Sequence, residues 1–392
     1  MTGKATRHHT RDHNARLVFK TIYDQGETSR ADIARLTDLT RPTVSAIVTD
    51  LLSDGFVVET GLGPSAGGKR PTLLRVDDHS REILCLDLSG SEFRGALVNL
   101  GGSVVARAAL PAGQARGDAA LDLLTRLVRT LRPAANAPLL GIGIGTPGLV
   151  NPASGVVLRA VNLDWTDIDL GPRLEAAAGC PVYVANDSHL AALAEYTYGP
   201  ASVSRNLIVI RVGRGIGAGI ILDGRPYYGD GYGAGEIGHV VVDASGSPCS
   251  CGNVGCLETV ASTRAMLDRA RRLAAERPES LLGRTAAPDW NALVASARSG
   301  DEAALDAVNV AGRALGVALA NLVGCYHIRR IVLSGRVADL GRPLLDAAEA
   351  EMKRRVLPAM AEAVDLSYSA LDGDAVLLGS AAFVMQHELG IV

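Results

Sequence analysis

Twice in this chain a short apolar strand runs into a glycine-bearing loop and out again into a second strand, a repetition that narrows the possible folds sharply. The first copy is ILCLDLSGSEFRGALVNL, from Ile83 to Leu100, and the second is LIVIRVGRGIGAGIILDG, from Leu207 to Gly224. Helical text follows each copy. The pattern reads as a duplicated α/β fold of two lobes with a cleft between them. In the first loop Asp87 closes the strand and Ser89 and Gly90 follow. Backbone N–H groups could there face a phosphate, and the carboxylate a hydrated metal. Gly215 and Gly217 hold the equivalent places in the second loop. Between the copies, AGCPVYVANDSHLAALAEYTYG gives a strand ending at Asn186 and Asp187 and then a helix. An aspartate there suits a group that takes a proton from a substrate hydroxyl, and equally a helix cap.

The stretch GEIGHVVVDASGSPCSCGNVGCLE, from Gly235 to Glu258, carries His239, Cys249, Cys251 and Cys256. One histidine and three cysteines supply the four nitrogen and sulfur donors that zinc prefers, two of the thiols only one residue apart. The alternative is a cluster of small buried hydrophobes, but the loop is polar and rich in Gly, Ser and Pro. A disulfide fits less well, because the polar, basic start MTGKATRHHTRDHNAR has no apolar segment after it and a cytosolic setting keeps thiols reduced. If GEIGH begins a helix, Glu236 and His239 share a face. Metal and carboxylate would then meet at one pocket wall.

With 392 residues, 47% of them hydrophobic, the chain is long enough for two or three domains and a large core. A net charge of −3 excludes wholesale coating of nucleic acid, so any DNA contact must be local. No apolar run approaches the roughly twenty residues of a bilayer span. A soluble cytoplasmic protein without membrane contact is expected.

From about Asp12 to Asp77 the text predicts three short helices and a hairpin. Ala15, Val18, Phe19 and Ile22 give the first helix an apolar stripe. Ser29 caps the second, and Thr40 with Pro42 opens the third, which buries Val44, Ile47, Val48 and Leu51. Arg41, Thr43 and Ser45 remain outside near its start, where a helix-turn-helix meets bases and phosphates. FVVET and PTLLRV pair as a wing whose loop ends in Lys69 and Arg70, and Arg7, His8, His9 and Arg11 could add a basic arm. The alternative is a small helical docking domain with a solvated basic loop.

These residues together resemble the ROK family of sugar kinases and repressors, within the actin-like ATPase fold, and the winged helix resembles its repressor branch. The resemblance covers nearly the whole chain and rests on DLSGS at Asp87, GIGTPG from Gly143 to Gly148, AND from Ala185 to Asp187, GIGAGIILDG from Gly215 to Gly224, GEIGH with CSCGNVGCLE, and GGKRPTLLRV. It implies a structural Zn²⁺ on His239, Cys249, Cys251 and Cys256, and sugar contacts from Asn162, Asn186, Asp187, Glu236, His239 and Glu258. Residues 1–79 would form the winged helix with its wing and linker, 80–195 the first lobe completed by the C-terminal helix 376–392, and 196–375 the second lobe with the zinc loop. The implied function is a repressor of sugar uptake or metabolism genes, a homodimer or homotetramer on a palindromic double-stranded operator. A sugar in the cleft would reset the separation of the two winged helices through the linker. The competing reading is an ATP-dependent, glucokinase-like sugar kinase with a DNA-binding appendage and Asp187 as its base. Against it stand Arg214, where the kinases carry a small hydroxyl residue, and Ser334 and Arg336, where they favour glycines.

Overall fold

The computed structural model describes residues 7–64, 70–200 and 204–391. The N-terminal module comprises α1 (Arg7–Gln25), a short strand β1 (Thr28–Ser29), α2 (Arg30–Thr37), α3 (Arg41–Ser53) and a hairpin of β2 (Val57–Leu62) and β3 (Thr72–Val76). Ser29 accepts the N–H of Asp32 and Thr40 that of Thr43, so each helix begins on a hydroxyl that satisfies an otherwise orphaned donor. Pro42 falls in the first turn of α3, where its missing N–H costs nothing. The basic residues expected as a free arm are instead helical from Arg7 onward, and Arg11 is paired with Asp50 of α3 at 2.8 Å. Once nucleated on its apolar stripe, a helix extends by one hydrogen bond per residue and needs no buried face for the extra turns.

The first lobe runs β4 (Glu82–Asp87), β5 (Glu92–Asn99), β6 (Val104–Pro111), α4 (Gly117–Leu131), β7 (Leu139–Thr146), a small antiparallel sheet of β8 (Leu149–Asn151), β9 (Val156–Ala160) and β10 (Trp165–Ile168), then α5 (Leu170–Ala178), β11 (Val182–Asn186) and α6 (Asp187–Thr197). The second runs β12 (Leu207–Val212), β13 (Ile216–Leu222), β14 (Arg225–Pro226), α7 (Glu258–Ala261), α8 (Thr263–Glu276), α9 (Trp290–Arg298), α10 (Glu302–Tyr326), β15 (Arg330–Ser334), α11 (Arg342–Lys353), α12 (Pro358–Ala361) and β16 (Asp365–Tyr368). Each lobe has a five-stranded sheet, ordered β11-β7-β4-β5-β6 and β14-β13-β12-β15-β16. In both, the leading strand pairs antiparallel with its hairpin partner and parallel with a strand from beyond a helix. The duplication therefore holds strand for strand.

A last helix, α13 (Ala375–Leu389), returns to the first lobe and packs on α6, β7 and β4. Its text is apolar on all sides, as suits a helix enclosed on every face. α6 is likewise buried along most of its length, between α13 on one side and β12 and β13 of the second lobe on the other. It therefore stands at the joint between the lobes. Among the described residues one helix, α10, is long and apolar enough to cross a membrane; Ala311, Leu315, Leu319 and Val323 on it are buried in the core of the second lobe.

The winged helix is fused to the first lobe with no free linker. Val18 and Ile22 of α1 and Leu74 and Val76 of β3 share one apolar core with Ile83, Val98, Leu100, Val384 and Met385 of the body. Arg16 donates to the carbonyl of His387 at 2.9 Å, and the Tyr23 hydroxyl to that of Leu100 at 3.2 Å. Arg81, in the connecting turn, lies over the Phe56 ring at 4.3 Å and donates to the Asp54 carbonyl at 3.0 Å.

Candidate functional site

At the C-terminal end of β11 the Asn186 Oδ1 accepts the N–H groups of Ser188 (2.8 Å) and His189 (3.2 Å). Asn186, and not Asp187, is thus the cap of α6, and its Nδ2 donates to the Gly148 carbonyl at 2.9 Å. Asp187 occupies the first turn and turns toward the cleft. Its Oδ2 receives Nη1 of Arg211 at 2.7 Å, while Nη2 of the same guanidinium donates to Ser89 Oγ at 2.7 Å and lies 4.0 Å from Asp87. Asp87 is also held by Arg94 at 2.5 Å and by the hydroxyl of Ser89. Two carboxylates and two guanidiniums therefore close a neutral network across the cleft floor, Arg211 from the second lobe and the rest from the first. Burial pushes the Asp187 carboxyl up, with Arg211 opposing; for Asp87, Arg211 and Arg94 overcome burial and hold it below the usual carboxylate range.

The remaining polar residues arrive from loops. Glu236 precedes a 3₁₀ turn, Ile237–His239, and its Oε2 stands 4.0 Å from Nε2 of His239. Burial raises the Glu236 carboxyl. Glu258 opens α7, and its Oε2 accepts the N–H of Ile216 at 3.2 Å. Asn162 sits exposed in a 3₁₀ turn of the first lobe. These three line a single cleft of about 480 Å³ with Asn186, Asp187 and His239. Carboxylates and amides facing a wet cleft, with an imidazole N–H among them, can share the donors and acceptors of a polyol's hydroxyl groups.

The imidazole is fixed from behind. Nδ1 of His239 lies 3.6 Å from Sγ of Cys249, and the sulfurs of Cys251 and Cys256 are 3.7 Å apart. All four donor atoms fall within 4.8 Å of one another. A tetrahedral ion with bonds of about 2.3 Å to sulfur and about 2.0–2.1 Å to nitrogen has edges of about 3.8 Å between sulfurs and about 3.6 Å from sulfur to nitrogen. The donor set fits such an ion. Gly255 makes the loop possible: its φ is 74°, and a Cβ there would lie 1.6 Å from the Asp243 carbonyl oxygen. With Nδ1 turned to the sulfurs, Nε2 is left to face Glu236 and the cleft.

On the N-terminal module, Arg41 and Ser45 are exposed at the start of α3, while Thr43 is half-buried with its hydroxyl 2.8 Å from that of Thr40. Thr43 serves the cap first. Arg70 is tied to its own hairpin, donating to the carbonyls of Gly63 (3.0 Å) and Leu62 (3.1 Å). Lys69 lies outside the described residues.

The sequence pattern of the ROK family matches residues 83–387. The chain belongs to the ROK family. A winged helix-turn-helix DNA-binding pattern matches residues 11–58 of this ROK protein. The xylose repressor of Caldicellulosiruptor bescii is 32% identical over 383 residues, 96% of each chain. The crystal structure of a ROK family transcriptional regulator, a homolog of the E. coli MLC protein, superposes with a TM-score of 0.86 at 29% identity, over 98% of both chains. A ROK family glucokinase from Streptomyces griseus, solved with glucose and AMPPNP, matches 76% of this chain and 98% of its own at 28% identity and a TM-score of 0.70.

Within this ROK body Ser89, Gly215 and Gly217 of the two glycine-bearing loops line the same cleft as the expected sugar contacts. A Cβ at Gly215 would stand 2.7 Å from Glu258 Oε2, and one at Gly217 would stand 2.4 Å from Ser188 Oγ. Both glycines thus admit side chains that build the cleft. Ser334 is buried, and the Arg336 guanidinium lies 5.7 Å from the centre of the Trp290 ring. Arg214 is exposed and faces a neighbouring cavity. The decisive residue that sequence reading missed is Arg211. Its signal was present, a lone charge inside the otherwise apolar strand LIVIRV, since a charge on a buried strand requires a partner.

Proposed function

We propose that this chain is a sugar-responsive transcriptional repressor in which a sugar binds Asn162, Asn186, Asp187, Glu236, His239 and Glu258, and in which DNA is read from the exposed start of α3. The observation that carries this reading is that Asp187, the carboxylate that stands at the place of a phosphoryl-transfer base, is held in a 2.7 Å ion pair by Arg211, whose positive charge opposes its taking a proton. A helix-turn-helix on the same chain gives sugar binding an output other than turnover.

His239, Cys249, Cys251 and Cys256 would hold Zn²⁺ as a structural ion. When bound, it fixes the pocket wall and leaves the imidazole N–H to a sugar hydroxyl. Two copies on a palindromic operator, half-sites about one helical turn apart, would make affinity depend on the separation of the two winged helices. A homodimer or homotetramer is the corresponding assembly. The glucokinase likeness supports a sugar-shaped cleft, and the Arg211 network speaks against phosphoryl transfer in it.

The test pairs two measurements on the full chain with a panel of pentoses, hexoses and amino sugars. Release of a labelled operator by one sugar without ATP turnover is the expected result. Turnover with unchanged DNA affinity would overturn the proposal.

A further inference from the structure

Beyond the wall made by Asn162 and Glu258, the sugar cleft adjoins a second cavity of about 570 Å³. Its lining includes the exposed residues Arg116, Arg214, Arg264 and Arg272, together with Asp268 and Glu258. Three of these charges are already committed, Arg264 and Asp268 to each other at 3.8 Å and Glu258 to the N–H of Ile216. The side chains of Arg116, Arg214 and Arg272 make no hydrogen bond or ion pair among the described residues. They come from three unrelated segments: the turn before α4 in the first lobe, the second glycine loop, and the middle of α8. One solvated helix face would not collect them at one hollow, and like charges that line it without a counter-ion repel.

We propose that this cavity is an oxyanion subsite that takes a phosphate group. Three arginines lining one hollow, each with a planar fork of donors, match a tetrahedral dianion with several terminal oxygens better than a two-oxygen carboxylate. Ser262, on the same rim, accepts the N–H of Ala265 and keeps its own hydroxyl hydrogen to donate. Arg116 belongs to the first lobe and Arg214 and Arg272 to the second, so an anion held by all three bridges the cleft mouth. The phosphate is carried by the sugar itself or by a separate small molecule.

The probe is potassium phosphate, titrated into the full chain against potassium chloride of equal ionic strength while the melting temperature is read. Phosphate is expected to raise it saturably beyond chloride. In the double variant Arg214→Gln, Arg272→Gln the apparent Kd rises at least about tenfold, whereas Arg205→Gln, a surface arginine far from the cavity, leaves it unchanged. The replaced side chains hold no partner, so the variant melts at the wild-type temperature without phosphate; Arg116→Gln provides a second test of the same site. A sugar phosphate binding more tightly than the sugar and phosphate supplied together would place both groups on one molecule, and additive binding would place them on two; either supports the subsite. Equal effects of phosphate and chloride, or the same loss in Arg205→Gln, would overturn it.

Discussion

The boundary between the winged helix and the first lobe is apolar, filled by Val18, Ile22, Leu74, Val384 and Met385, whereas the boundary between the two lobes is polar, crossed by Arg211 to Asp187, Ser89 and Asp87. Apolar contact is non-directional and has no substitute in water, so the first boundary cannot open without losing its burial energy. Hydrogen bonds and ion pairs can be exchanged for those of water or a polyol, so the second can rearrange with its groups still satisfied. The winged helix is therefore expected to move with the first lobe, and the proposed sugar would act where the lobes meet. α6 touches both lobes, and α13 carries its position toward α1.

Removing the cross-cleft cation should have the largest effect. Arg211→Met leaves Asp187 buried without its counter-charge and is expected to cost about 3 kcal/mol in chemical denaturation. Combined with Asp187→Asn, the loss should be less than additive by about 1 kcal/mol or more. Simple additivity would show that the pair is not what joins the lobes. Ile22→Ala tests the apolar boundary and should cost about 3 kcal/mol, with the winged helix and first lobe still melting in one transition. Separate transitions would break the contrast drawn here.

A smaller effect is expected behind the cleft. Cys256→Ser should weaken metal binding at least about tenfold, lower sugar affinity and leave operator affinity unchanged, read by metal analysis and two fluorescence titrations. Undiminished sugar affinity in metal-free protein would separate the loop from the sensor.

The smallest expected effect concerns His189 on α6, which bonds the Ala234 carbonyl at 2.8 Å and whose burial depresses its protonation. Below pH about 6.5 the unfolded chain takes a proton that the folded one resists, so stability falls as pH drops through that window. His189→Asn should flatten this slope between pH about 6.5 and 5, and an unaltered slope would assign it to other groups.

Much of the architecture was legible because its causes are local. Ser29 and Thr40 cap helices by reaching donors three residues on, the paired strands announce themselves by apolar runs between glycines, and the metal donors lie within one loop. The choice between Asn186 and Asp187 as the cap was not legible, since either side chain can reach the same donors; Arg211 decides it by engaging Asp187. The dry boundary was equally hidden, because a polar connecting turn reads as a linker until Arg81 is seen over Phe56.

The sequence alone therefore determined the duplicated α/β fold, the helix-turn-helix with its caps and the donor set for one metal ion, all written in spacings of a few residues. Only the tertiary structure decided that the cleft floor is neutral and that the reader module is fused to the first lobe. The contact between Arg211 and Ser89 joins residues 122 positions apart, and no local pattern encodes which of two buried charges will meet across such a distance.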